Sequence, residues 1–254
     1  PRTGTPQSIA VGGTPNELVV DQGAVWIRNF PDRVTRLDVA TGRTSSVVVS
    51  AGGDITNIAG GDGSLWLSHQ GTDTVTRISM SGQREDPAPP IRVGRAPGPV
   101  VYDNHRLYVS NTGNRSISVF DQNGQPIGSP LTFSSDLGGM EAVDGTLYVG
   151  ATSDLNAPVD RQDITVLPID ETSLVVGDAI PLGRANVFAG GPGVVYAASP
   201  LTDQVQRFDL RTRQPSGDPV EGVGRDVGEM HVVDGVLWAT DTRDNTVTRV
   251  ELTT

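Results

Sequence analysis

The chain contains no cysteine and, among its basic residues, no lysine: all 19 are arginine. The first absence excludes structural disulfides and every zinc or iron–sulfur site that needs thiolate ligands. Against the arginines stand 30 acidic residues, a formal net charge of −11. Such a surface repels phosphate backbones and anionic lipid, and no arginine-rich run offsets it locally, so nucleic acid is not an expected partner. No run approaches the roughly 18–20 apolar residues that cross a bilayer, so direct membrane insertion by this chain is not expected either. No Gly-x-Ser-x-Gly elbow, phosphate loop or His-Glu-x-x-His motif occurs, which leaves nucleophilic catalysis without a candidate. The chain starts at Pro1 rather than methionine, and is expected to be a piece of a longer protein.

What is present is repetition. An acidic or polar turn with glycine, followed by an apolar–aromatic–apolar core, recurs as DQGAVWI (21–27), GDGSLWL (61–67), DNHRLYV (103–109), VDGTLYV (143–149), GPGVVYA (191–197) and VDGVLWA (233–239). Its aromatics are Trp26, Trp66, Tyr108, Tyr148, Tyr196 and Trp238, separated by 40, 42, 40, 48 and 42 residues. That period suits one four-stranded unit per copy. Downstream of each core lies a segment in which β-branched residues alternate with polar ones, such as RVTRLDV (33–39), TVTRISM (74–80) and TVTRVEL (246–252), the period-2 signature of a strand. A turn and a short apolar run follow. No segment carries a 3.6-residue apolar stripe.

The sixth copy ends at Thr254 one strand short, whereas the N-terminus carries a spare strand, PQSIAV (6–11). Pairing the two would close the row into a ring and remove its exposed edges. The expected fold is therefore all-β: a six-bladed β-propeller of four antiparallel strands per blade, one domain over residues 1–254, with the N-terminal strand completing the last blade. Apolar residues flank each aromatic, so both faces of that strand should be buried and the six rings should be core.

The D-G-x-L-W and T-V-T-R pieces with their G-x-P links resemble the YVTN/NHL-type bacterial β-propeller repeats, and especially repeats of the virginiamycin B lyase-like group. The resemblance covers the whole chain. It implies a propeller, and it is similar to the extracytoplasmic sensor domains of receptor-type Ser/Thr kinases in actinobacteria. On that resemblance the chain is a non-catalytic sensor module held outside the cytoplasm by a larger membrane-anchored protein. The alternative is a metal-dependent hydrolase or lyase working from the central channel.

Aligning the copies on the glycine before each core collects Glu17, Asn57 and Glu229 at one first-strand position, and Glu141 and His231 two residues further on. On a channel these side chains would converge. Carboxylates with an amide oxygen suit a hard cation, so Ca²⁺ is the ion such a set would take, although no cofactor is expected. The plainer reading is a water-facing lining. Arg95, Arg184 and Arg225 share a position in the link before the first strand of three copies. Three guanidinium groups on a rim would suit a carboxylated or phosphorylated cell-wall fragment or a protein partner. Alternatively, the nearby Asp54, Asp136 and Asp226 neutralise them as ion pairs. His69 and His105 follow strands and are expected to be exposed. An insertion at 151–163 lengthens one loop of the fourth copy.

Overall fold

In the computed structural model, residues 14–49, 53–81, 84–85, 89–152, 163–185, 187–191, 193–199, 202–223, 227–233, 235–241 and 246–252 are described. Each repeat folds into its own antiparallel sheet, and the strands follow one another in space as they do in sequence. The first sheet is Thr14–Asp21, Ala24–Phe30, Arg33–Asp38 and Thr44–Val48. The second is Asn57–Gly61, Ser64–His69 and Thr74–Ser79, with the short strands Arg84–Glu85 and Ile91–Arg92 both pairing with the third strand. The third sheet is Pro97–Asp103, Arg106–Asn111, Ser116–Asp121 and Leu131–Thr132. The fourth is Asp136–Val143, Thr146–Thr152, Ile164–Asp170 and Ile180–Gly183. The fifth runs Val187–Gly191, Val194–Ala198 and Gln204–Asp209, again edged by two short strands. The sixth shows Val227–Val233, Val236–Asp241 and Thr246–Glu251. No α-helix occurs among the described residues. The spare strand at 6–11 lies outside them, and so therefore does its expected pairing.

Two compact units emerge, Pro1–Leu131 and Thr132–Thr254. Within the first, the first strand of each sheet packs on the first strand of the next, Thr14–Asp21 on Asn57–Gly61 and that on Pro97–Asp103. Within the second, Asp136–Val143 packs on Val187–Gly191, which packs on Val227–Val233.

The aromatic core motif owes its burial to strand alternation. On Ser64–His69, Leu65 and Leu67 join Trp26 and Ile55 in one cluster. The intervening Trp66 faces the other way, against Val100, Leu107, Val109 and Phe120 of the third sheet. Both faces are thus apolar because each meets a neighbouring sheet. Trp26, Trp66, Tyr108, Tyr148 and Tyr196 are all buried. Each ring removes about 150–250 Å² from water, worth on the order of 4–6 kcal/mol as an upper bound. Such packing leaves no room at the end of the second sheet's first strand. A Cβ on Gly61 would lie 2.2 Å from the Tyr102 ring, so that position admits only glycine.

Two further regularities position polar groups. A β-bulge interrupts the first strand between Pro15 and Glu17, Pro97 and Val100, Leu137 and Met140, and Val227 and Met230. It re-aims the residues that follow it. In four sheets the turn after the third strand is closed by an aspartate. Asp38 accepts from the Thr41 amide (2.9 Å), Asp121 from Asn123 and Gln125 (both 2.8 Å), Asp170 from Ser173 (2.7 Å) and Asp209 from Thr212 (2.6 Å). These are turns in which a side-chain carboxylate takes the place of a backbone acceptor.

Candidate functional site

Glu17 and Asn57 occupy equivalent first-strand positions in adjacent sheets, and the structure joins them. Asn57 Nδ2 donates to Glu17 Oε1 at 2.6 Å, while Glu17 Oε2 accepts from the backbone amide of Ile58 at 3.0 Å. Asn57 Oδ1 in turn accepts from the backbone amide of Val100 at 3.0 Å, one sheet further on. Behind Glu17, Arg28 Nε lies 3.6 Å from Oε2 and its Nη1 donates to the Ile55 carbonyl at 2.8 Å. The result is a relay of polar groups from the first sheet through the second to the third. Both carboxylate oxygens and both ends of the amide are engaged in it. Glu141 repeats the device in the second unit, accepting from the Gly190 amide at 2.6 Å. In each case the side chain reaches the amide one position beyond its own register in the next sheet.

His231 is 57% exposed, and its Nδ1 stands 3.7 Å from Glu141 Oε1. The structure therefore brings Glu17 together with Asn57 in one unit and Glu141 together with His231 in the other. Glu229 lies on the strand Val227–Val233, but its side chain is outside the described set. Among the described residues no group of three His, Asp or Glu side chains is arranged to hold a metal ion.

The arginine position behaves differently from the ion-pair expectation. Arg95 and Arg184 are exposed, and neither forms an ion pair with a described residue. At Arg95 and Arg184 the repeated arginine is thus a solvated group in the link before the first strand. Arg225 and Asp226 lie outside the described residues.

The expectation for His69 is overturned. It is fully buried, because residues 53–54 fold over the end of its strand. The Gly53 carbonyl, 2.9 Å from Nδ1, can only accept, so the proton sits on Nδ1 and Nε2 accepts from Thr76 Oγ1 at 2.7 Å. Three residues beyond the core aromatic, this position holds Asn29 in the first sheet and Asn111 in the third, both buried. Asn29 donates to Thr35 Oγ1 at 2.7 Å, and Asn111 donates to Ser118 Oγ at 3.0 Å while accepting from the Gly94 amide at 2.9 Å. Each pins the second strand to the third. The common spacing from the aromatic was the available signal in the sequence.

His105 is exposed, as expected. It hydrogen-bonds Asp62, which also accepts from Tyr102 OH at 2.7 Å. The bonds from Tyr102 and His105 hold the Asp62 carboxyl below the usual carboxylate range, while burial and the adjacent carboxylate push the Tyr102 phenol well up. Tyr102 also stacks on Trp66, with ring centroids 6.1 Å apart. The trio ties the turns of the second and third sheets.

A cleft of about 550 Å³ opens on the fourth sheet. Phe133 comes from the link before the first strand, Asp163 and Thr165 from the third strand and its approach, and Val176 from the turn beyond. The sequence gives no hint of it, because its walls come from four separate segments between Thr132 and Ala179.

No protein-family model matches the chain, and no curated protein matches its sequence. Solved structures do resemble it. A streptogramin B lyase structure shares 14% identity, with 96% of this chain and 85% of that one covered at a TM-score of 0.69. The Pan2 WD40 domain of Neurospora crassa shares 12%, covering 94% and 76% at 0.70. The computationally designed Ika8 protein shares 12%, covering 94% and 83% at 0.62. With six successive antiparallel sheets, this likeness assigns the chain to the β-propeller fold. The fold supports a binding or scaffold module. At such identities it carries no particular activity.

Proposed function

We propose that this chain is a non-catalytic binding module, the extracytoplasmic sensor part of a larger bacterial membrane receptor such as a Ser/Thr protein kinase. The observation that carries the non-catalytic reading is the bonding of Glu17, Asn57 and Glu141. These first-strand polar groups, the natural candidates for acid–base or cation chemistry, hold backbone amides of the adjacent sheet. A carboxylate engaged in this way is poorly placed to move a proton or take up an ion. The resemblance of the repeats to sensor propellers supports the receptor context. No described helix is long and apolar enough to cross a membrane, so an anchor would come from another part of the protein.

The absence of cysteine makes a direct test available. Val175 is 62% exposed, and Val175→Cys in the full-length gene product gives this module a single thiol. Intact cells treated with a membrane-impermeant maleimide should label the variant above the parent background. Labelling that appears only after permeabilisation would contradict the extracytoplasmic placement.

A further inference from the structure

We propose that the cleft on the fourth sheet binds a hydroxylated amine of the amino-sugar class. The inference deepens the binding-module reading and rests on it. At about 550 Å³ the cleft falls within the range of small-molecule sites. Its walls divide by chemistry. Phe133, Leu167 and Val176 present carbon surface, and Ser134, Thr165 and Asp163 present oxygen. Among the described residues, the hydroxyls of Ser134 and Thr165 and the carboxylate of Asp163 have no hydrogen-bond or ion-pair partner. They are free to serve a ligand.

That combination selects a ligand. No basic side chain lines the cleft among the described residues, and the chain carries a net charge of −11, which disfavours an anion. A purely apolar molecule would strip water from three oxygen-bearing groups without replacing the bonds. A sugar ring has a C–H face that lies against an aromatic surface and an edge of hydroxyls that exchange for bound water. An ammonium on that edge adds a charge-assisted bond to Asp163 and a favourable position near the Phe133 ring.

Three monosaccharides of one ring size separate the contributions: glucosamine, glucose and glucuronate carry a positive, neutral and negative group. Titrated into the ¹⁵N-labelled chain, glucosamine should give saturable amide shifts at Ser134, Asp163 and Thr165. Its apparent Kd should be about three- to tenfold lower than that of glucose, with glucuronate weakest. Asp163→Asn, an exposed substitution, should bring glucosamine and glucose to equal affinity. Phe133→Ala should weaken both together. The proposal is overturned if neither sugar gives saturable shifts at these amides, if glucuronate matches glucosamine, or if Asp163→Asn preserves the preference. Failure here with the maleimide result intact removes the cleft and leaves the receptor reading. The converse pair of results removes the receptor context and leaves the cleft.

Discussion

The two halves of the chain solve the same problem with different chemistry. In the first unit, polar contact runs unbroken from Arg28 through Glu17 and Asn57 to the backbone of the third sheet. In the second, one oxygen of Glu141 takes the Gly190 amide of the fifth sheet, the other stands 3.7 Å from the exposed His231 of the sixth, and no amide side chain carries a hydrogen bond onward. The equivalent residue of the fifth sheet is Ala189, and its contact with the sixth is apolar, through Val187, Met230 and Val232. The difference lies in what an amide can do. A carboxylate only accepts, so a second glutamate at position 57 would repel Glu17, whereas asparagine donates to one side and accepts from the other. A relay needs an amide in its middle, and a single bridge needs only a carboxylate.

Substitutions at the two sites should divide accordingly, and they carry the largest expected effect. Asn57→Leu removes the donor to Glu17 and orphans the Val100 amide, and should cost about 2–4 kcal/mol in chemical denaturation. Glu141→Leu orphans the Gly190 amide and loses only the exposed contact with His231 besides, and should cost about 1–2 kcal/mol. Equal losses would mean that the relay adds nothing to its separate bonds.

A smaller effect belongs to the turns. Hydrogen bonds from Thr41, then Arg36, hold the Asp38 carboxyl at about 2, and backbone bonds lower Asp121 and Asp209 in the same way. A carboxyl whose pKa is depressed on folding stabilises above its unfolded value, near 4, and loses that contribution as pH falls through the folded value. The triple variant Asp38→Asn, Asp121→Asn, Asp209→Asn should therefore show a shallower fall in melting temperature between about pH 4 and 2. An unchanged slope would count against these turn bonds. Smallest of all, millimolar Ca²⁺ should leave the melting temperature unmoved, because the Asn57 amide oxygen and both Glu17 oxygens already have partners. A rise of several degrees would favour the metal-dependent alternative.

The fold was legible because its cause is written locally. Period-2 alternation, glycine turns and an aromatic every forty-odd residues specify a strand, a hairpin and a sheet without knowledge of distant partners. The polar residues were placed at the right register, but their role was not visible. Whether Glu17 faces solvent or an amide depends on a bulge and on the spacing of the next sheet, neither of which its neighbours in sequence encode. His69 was misread for a related reason: its burial comes from a loop sixteen residues upstream folding back over it. Its kinship with Asn29 and Asn111 appears only when the copies are aligned past the aromatic rather than before it.

Backbone hydrogen exchange tests the stapling role most directly. In the native chain the Ile58, Val100 and Gly190 amides should be protected. Asn57→Leu should speed exchange at Val100 by at least about tenfold, the equivalent of losing one buried bond, while Gly190 keeps its rate. Unchanged exchange at Val100 in that variant would contradict the account and return Asn57 and Glu17 to the pool of groups free for a ligand.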